Sequence, residues 1–60
     1  MDLKRLRKDK GLSQVEIAEE IGVHVNTYIL WERGAGKPTA ENMEKLKKVL
    51  RGENDGSADN

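Results

Sequence analysis

The clearest pattern of apolar and polar positions in this sequence lies between residues 13 and 34. Ser13 is a favourable helix N-cap and Glu16 follows it at the spacing of a capping box, so a helix is predicted to begin directly after Ser13. Gly22 is placed to end this helix, because a chain that leaves a helix often needs a left-handed residue. The apolar face of the segment comprises Ile17, Ala18, Ile21 and, beyond the glycine, Val23.

A second helix is predicted from about Val25 to Arg33, and Gly34 is placed to end it. Tyr28 and Trp31 lie three residues apart, which puts both side chains on the inward side of this helix. The pattern therefore predicts two short helices joined by a tight turn.

Another helix is predicted near the N-terminus, from about Asp2 to Lys10. Asp2 can cap it and also suits the positive end of the helix dipole. Leu3 and Leu6 form its buried stripe, and Gly11 is placed to end it. A short amphipathic helix is therefore expected before the central pair.

The last predicted helix follows a loop that contains two glycines and Pro38. Thr39 is its expected N-cap, and the helix runs from Ala40 to Leu50 or Arg51. Its apolar residues are spaced for one face: Ala40, Met43, Leu46, Val49 and Leu50. Together these segments predict an all-α fold, a compact bundle of four short helices.

Length and composition limit what this bundle can contain. Sixty residues are enough for one small domain, and the absence of cysteine excludes disulfides and thiolate metal sites. One histidine is too few for a zinc site, so we expect no metal and no cofactor. No apolar run approaches the roughly 20 residues of a membrane span, and Met1 leads directly into charged residues. The expectation is a soluble cytoplasmic domain with no membrane partner.

No enzyme motif is present in the sequence. The segment 34–37 contains glycines and a lysine but lacks the spacing of a phosphate-binding loop. Ser13, His24 and Glu32 are the residue types of a catalytic triad, but a helix cap, a turn residue and an ion-pair member explain them better. We therefore expect no catalytic residues.

The charges are distributed unevenly although the formal net charge is zero. Residues 1–50 hold ten Lys or Arg against eight Asp or Glu, whereas residues 51–60 hold one Arg against three carboxylates. A mildly basic domain is compatible with nucleic acid but does not require it. The segment 52–60 has almost no apolar residue and cannot repay the entropy of ordering. The expectation is a folded domain over 1–51 and a disordered acidic tail over 52–60.

The stretch 13–34 resembles the helix-turn-helix of the phage repressor and Cro (Xre-type) family. Ala18 comes four residues after Gln14, where the two helices of such a motif cross closely, and Gly22 comes four residues later in the turn. The ending Trp-Glu-Arg-Gly at 31–34 is frequent in that family. The resemblance extends over roughly residues 2–50 through the flanks Leu3, Leu6, Arg7, Lys37, Pro38, Thr39, Glu41 and Asn42.

This resemblance implies a DNA-binding transcriptional regulator with the second helix of the motif in the major groove. It also implies an ion pair between Arg7 and Glu32, two charges at otherwise inward positions. Members of the family usually bind twofold sites as dimers, so double-stranded DNA and a second copy of the chain are the implied partners. The implied DNA-contacting residues are Gln14, His24, Val25, Asn26, Thr27, Ile29, Leu30, Arg33 and Lys37.

The second helix departs from the family at its outward positions. Polar or basic residues are usual there, whereas this chain has Val25, Ile29 and Leu30. One hypothesis is a DNA-binding regulator that relies on methyl contacts and DNA shape. The alternative is a protein-interaction module, such as an antirepressor or adaptor, that uses these three aliphatic residues to bind a protein partner.

Overall fold

The structure is a computed structural model that describes residues 2–52, and within this range it is all-helical, with no β-strand. The predicted bundle of four short helices is confirmed. The predicted disorder of the acidic tail concerns residues that, from 53 onward, lie outside the described range. The helices are α1 (Leu3–Asp9), α2 (Gln14–Ile21), α3 (Val25–Glu32) and α4 (Ala40–Arg51).

The predicted N-caps of α1, α2 and α4 are confirmed by hydrogen bonds. The Asp2 carboxylate accepts from the Arg5 amide at 3.1 Å, and the Thr39 hydroxyl accepts from the Asn42 amide at 3.1 Å. The capping box of α2 is complete: the Ser13 amide donates to Glu16 Oε1 at 2.8 Å, and the Glu16 amide donates to Ser13 Oγ at 3.0 Å. Local residue choice therefore fixes where these helices begin.

The turn between α2 and α3 is tight because Gly22 adopts a left-handed conformation. Its φ is 89°, and the amides of Gly22 and Val23 both donate to the Ala18 carbonyl, at 2.8 and 3.0 Å. These bonds satisfy a carbonyl that the helix end would otherwise leave unpaired. Only Val23 and His24 remain between this turn and α3, so the direction of α3 follows closely from the end of α2.

The core lies between all four helices. Ala18 is 1% exposed, and its small side chain allows α2 and α3 to pack closely. Tyr28 and Trp31 meet edge to face, with ring centroids 6.0 Å apart, a favourable aromatic arrangement. The buried apolar residues are Leu3, Ile17, Ala18, Ile21, Tyr28, Trp31, Leu46 and Leu50. The inward positions predicted for Tyr28 and Trp31 are thus confirmed.

The predicted inner face of α4 needs a correction. Leu46 and Leu50 are buried, whereas Met43 and Val49 are only half-buried and Ala40 is exposed. Ala40 is the first residue of the helix, and at that position it lies beyond the edge of the core. The apolar spacing predicted the face correctly but overestimated how much of it is buried.

Candidate nucleic-acid interface

The outward surface of α3 is uncharged along most of its length. Asn26, Thr27 and Leu30 are exposed, Ile29 is half-buried, and Leu30 has 46% of its surface in solvent. Positions three and four residues apart lie on one side of a helix, so Asn26, Ile29 and Leu30 share a face. This face presents one amide and two aliphatic side chains.

Val25 lies at the edge of this outward face, four residues before Ile29. Val25 is half-buried and packs against the core. It is the first residue of α3, where the helix enters directly from the turn after Gly22. Ile29 and Leu30 therefore make up most of the aliphatic part of the outward surface, with Val25 only partly available.

His24 is the N-cap of α3. Its Nδ1 accepts a hydrogen bond from the Asn26 amide at 3.0 Å. This bond needs the lone pair of Nδ1, so the hydrogen of the neutral imidazole is assigned to Nε2. The sequence placed His24 in the turn but did not indicate the cap, because histidine is not among the usual capping residues. The exposed His24 ring therefore has one nitrogen occupied and one available as a donor.

A buried ion pair joins α1 to the end of α3. Arg7 Nε lies 2.6 Å from Glu32 Oε2, and the two side chains are 9% and 5% exposed. Arg7 Nη1 also donates to the Leu12 carbonyl at 2.8 Å. The ion pair implied by the family resemblance is thus confirmed.

Two further donors bind the same carboxylate. The Tyr28 hydroxyl donates to Glu32 Oε2 at 2.6 Å, and Gln14 Nε2 donates to Glu32 Oε1 at 3.0 Å. The spacing of Tyr28 and Glu32, four residues apart on one helix, was a usable sequence signal for the first bond. The bond from Gln14 depends on how α2 and α3 pack and had no such signal. Through this hydrogen bond to Glu32, Gln14 links the start of α2 to the end of α3.

This network sets the ionisation of its members. Burial acts to raise the pKa of Glu32, but the hydrogen bonds that its carboxylate accepts outweigh burial and hold the pKa below its ordinary value. The hydrogen bond to Glu32 raises the pKa of Arg7. Burial, together with the hydrogen bond to Glu32, raises the pKa of Tyr28. At neutral pH the arginine and the glutamate are therefore both charged and the tyrosine is neutral.

We expect acid to destabilise the domain through Glu32. Its folded-state pKa is lowered from the ordinary value of a glutamate, so the unfolded state takes up a proton first as pH falls. The stabilisation is therefore complete above about pH 4.3 and is lost as pH falls through the folded-state pKa. Urea unfolding of the wild type and of Glu32→Gln across the acid range measures this. The control is Glu20→Gln, which removes an exposed carboxylate from α2. If the free energy of unfolding depended on pH in the same way in all three proteins, the lowered pKa of Glu32 would not be the source of the acid sensitivity.

Arg33 and Lys37 lie at and beyond the C-terminal end of α3. Both are exposed, and neither forms an ion pair with another residue of the range 2–52. Their positive charges are therefore available to a partner that approaches this end of the helix.

No group of three or more His, Asp or Glu residues among positions 2–52 is arranged to hold a metal ion. None of the four helices described has the length and apolar character needed to cross a bilayer.

The sequence matches the family described as "Helix-turn-helix" over residues 3–53. The chain belongs to the phage repressor/Cro type of this family, which comprises DNA-binding transcriptional regulators. The family predicted from the residues is thus confirmed.

Two similar proteins are both described as the cryptic phage CTXphi transcriptional repressor RstR. One, from Vibrio cholerae, is 44% identical over 46 residues, which cover 77% of this chain and 41% of that protein. The other, from Vibrio cholerae serotype O1, is 38% identical over 48 residues, which cover 80% of this chain and 43% of that protein. The chain thus spans about two fifths of the length of these relatives. No solved structure matches the chain significantly.

Proposed function

We propose that this domain binds double-stranded DNA in a sequence-specific manner as a small transcriptional regulator, with α3 in the major groove. The observation that carries the proposal is the division of α3 into two sides. Tyr28 and Trp31 are buried, and Glu32 is held by hydrogen bonds, so the inner side fixes the helix in the fold. The outer side remains accessible and fits a groove that admits a single α-helix.

Asn26 is the residue proposed to recognise a base by hydrogen bonds. It is exposed in the first turn of α3, the part of such a helix that contacts base edges in the family. An asparagine amide can donate to adenine N7 and accept from adenine N6 at the same time. Asn26 therefore supports recognition of an adenine.

Other polar groups are proposed to contact phosphates. His24 offers the Nε2 donor, and Thr27 offers a hydroxyl within the first turn of α3. Arg33 and Lys37 supply positive charge beyond the other end of the helix. Gln14 retains its carbonyl oxygen and one amide hydrogen, because only one hydrogen is needed for its bond to Glu32. Such contacts position the protein without specifying sequence.

We propose that the regulator represses transcription, because both similar proteins are described as transcriptional repressors. We propose that two copies of the chain bind a twofold DNA site, as the family resemblance implies. Sedimentation of the protein with and without a selected duplex tests the stoichiometry, and one copy on a site that lacks twofold symmetry would contradict it.

We expect Asn26→Ala to weaken binding to a selected duplex by about 1–3 kcal/mol and to relax the preference at one base pair. The loss is local because one amide contacts one base. Selection from a random duplex library followed by anisotropy titration at fixed salt measures both effects. Unchanged affinity and an unchanged preference at every position would contradict the role of Asn26.

We expect Lys37→Ala to weaken all duplexes by the same factor and to reduce the dependence of affinity on salt. A lysine that binds a DNA phosphate releases counterions from the DNA, and this release does not depend on the base sequence. The measurement is titration of selected and random duplexes over a series of salt concentrations. A change confined to the selected duplex would show that Lys37 contacts a base instead.

The aliphatic pair Ile29 and Leu30 supports a second candidate function, a protein-interaction module on the same scaffold. Chemical-shift mapping with a selected duplex separates the two functions. Shifts centred on residues 24–30 support the DNA interface. Weak binding with these residues silent, together with a protein complex that Leu30→Ala abolishes, supports the protein module.

A further inference from the structure

We infer that α3 recognises the 5-methyl groups of thymine, so that the DNA partner is a duplex with adenine–thymine pairs at the centre of the contact. Leu30 and Ile29 contact the methyl groups, next to an adenine bound by Asn26. This inference rests on the proposed function and adds the base chemistry of the site.

The composition of α3 excludes the commonest contact to guanine. Guanine presents two acceptors in the major groove, and arginine or lysine usually binds both. No residue of the range 25–31 carries a charge, and the first arginine after α3 begins is Arg33, at its C-cap. A guanine edge against Ile29 or Leu30 would lose water without gaining a donor, which is unfavourable.

The geometry of the helix places the amide and the aliphatic groups close enough for neighbouring base pairs. Asn26 and Leu30 are four residues apart on one face, which is about 6 Å along the helix axis. Base pairs are spaced by about 3.4 Å. The face therefore covers about two to three consecutive pairs, with Asn26 on one and the aliphatic side chains on the next.

Leu30 has apolar surface that a methyl group can remove from water. It is 46% exposed in the free domain, the second most exposed large aliphatic residue among those described. The most exposed is Val15, at 52%, which lies on α2. Burial of apolar surface is favourable in proportion to its area. Leu30 can therefore gain from a methyl group on the groove edge, and Val15 provides a matched comparison on another helix.

The test uses a selected duplex in which each thymine is replaced in turn by deoxyuridine. This change removes the 5-methyl group and leaves the hydrogen-bonding edge intact. We expect each replacement at a contacted thymine to raise the Kd of the wild type roughly fourfold, the effect of one methyl group that is no longer buried. With Leu30→Ala, the same replacement should have almost no effect at the position that Leu30 contacts. With Val15→Ala, the roughly fourfold effect should remain.

The outcomes separate this inference from the proposed function. Specific binding that no uracil replacement changes would overturn methyl recognition and leave DNA binding intact. Uracil effects that are equal in the wild type, Leu30→Ala and Ile29→Ala would also overturn it, because the methyl group would then contact neither aliphatic side chain. Failure to select any duplex with salt-dependent binding would overturn the proposed function and this inference together. Circular dichroism of each variant confirms that it is folded before titration.

Discussion

Glu32→Ala should lower the free energy of unfolding by about 3–5 kcal/mol, the range observed when one member of a buried ion pair is removed. The alanine leaves the charged Arg7 side chain, which is only 9% exposed in the native structure, with no carboxylate to bind. It also removes the acceptor for the Tyr28 hydroxyl and the Gln14 amide. Such a loss is a large share of the stability of a small domain. Thermal and urea unfolding measure it.

The matched control is Glu20→Ala, which removes an exposed carboxylate from α2. Exposed substitutions of this kind usually change stability by no more than about 0.5 kcal/mol. Equal small losses in the two variants would show that the ion pair contributes little. A double-mutant cycle between Arg7 and Glu32 then isolates the energy of their interaction.

Tyr28→Ala should destabilise the domain by about 3–5 kcal/mol, since it empties the space of a fully buried aromatic ring. It also removes the edge contact with Trp31 and the hydrogen bond to Glu32. Tyr28→Phe separates these effects, because it removes the hydroxyl and keeps the ring. Urea unfolding of both variants measures the two contributions.

The control on the same helix is Leu30→Ala, for which we expect a loss within about 0.5 kcal/mol. Val25→Ala should cost more than Leu30→Ala, because Val25 packs against the core. Losses from Leu30→Ala as large as those from Tyr28→Ala would mean that the two sides of α3 have been assigned wrongly.

The helices could be predicted from sequence because their signals are local. A cap and its partner amide lie two or three residues apart, so Ser13 and Glu16 identify the start of α2 without knowledge of the fold. Glycine marks the end of α2 for a similar reason, since the left-handed conformation at Gly22 is a property of one residue. The N-caps of α1 and α4 were predicted from the same local signals.

The candidate site could be predicted only in part, because its geometry depends on how the helices pack. Val25 and Leu30 are both aliphatic residues of α3, and spacing alone did not show that one packs inward. The hydrogen bond from Gln14 to Glu32 joins residues 18 positions apart on different helices. The Arg7–Glu32 pair was predicted through the family resemblance, which supplies information on packing that the pattern of this one chain lacks.

The length of α1 gives the ion pair a further consequence for how the domain opens. An isolated helix of fewer than about 12–15 residues is barely stable in water, and α1 has seven residues. Release of α1 would expose Leu3 and separate Arg7 from the Glu32 carboxylate. We therefore expect partial opening of the N-terminus to cost nearly as much free energy as complete unfolding. Amide hydrogens of α1 and α3 should exchange at similar rates with one shared opening energy, and the domain should present proteases with no separately accessible first helix.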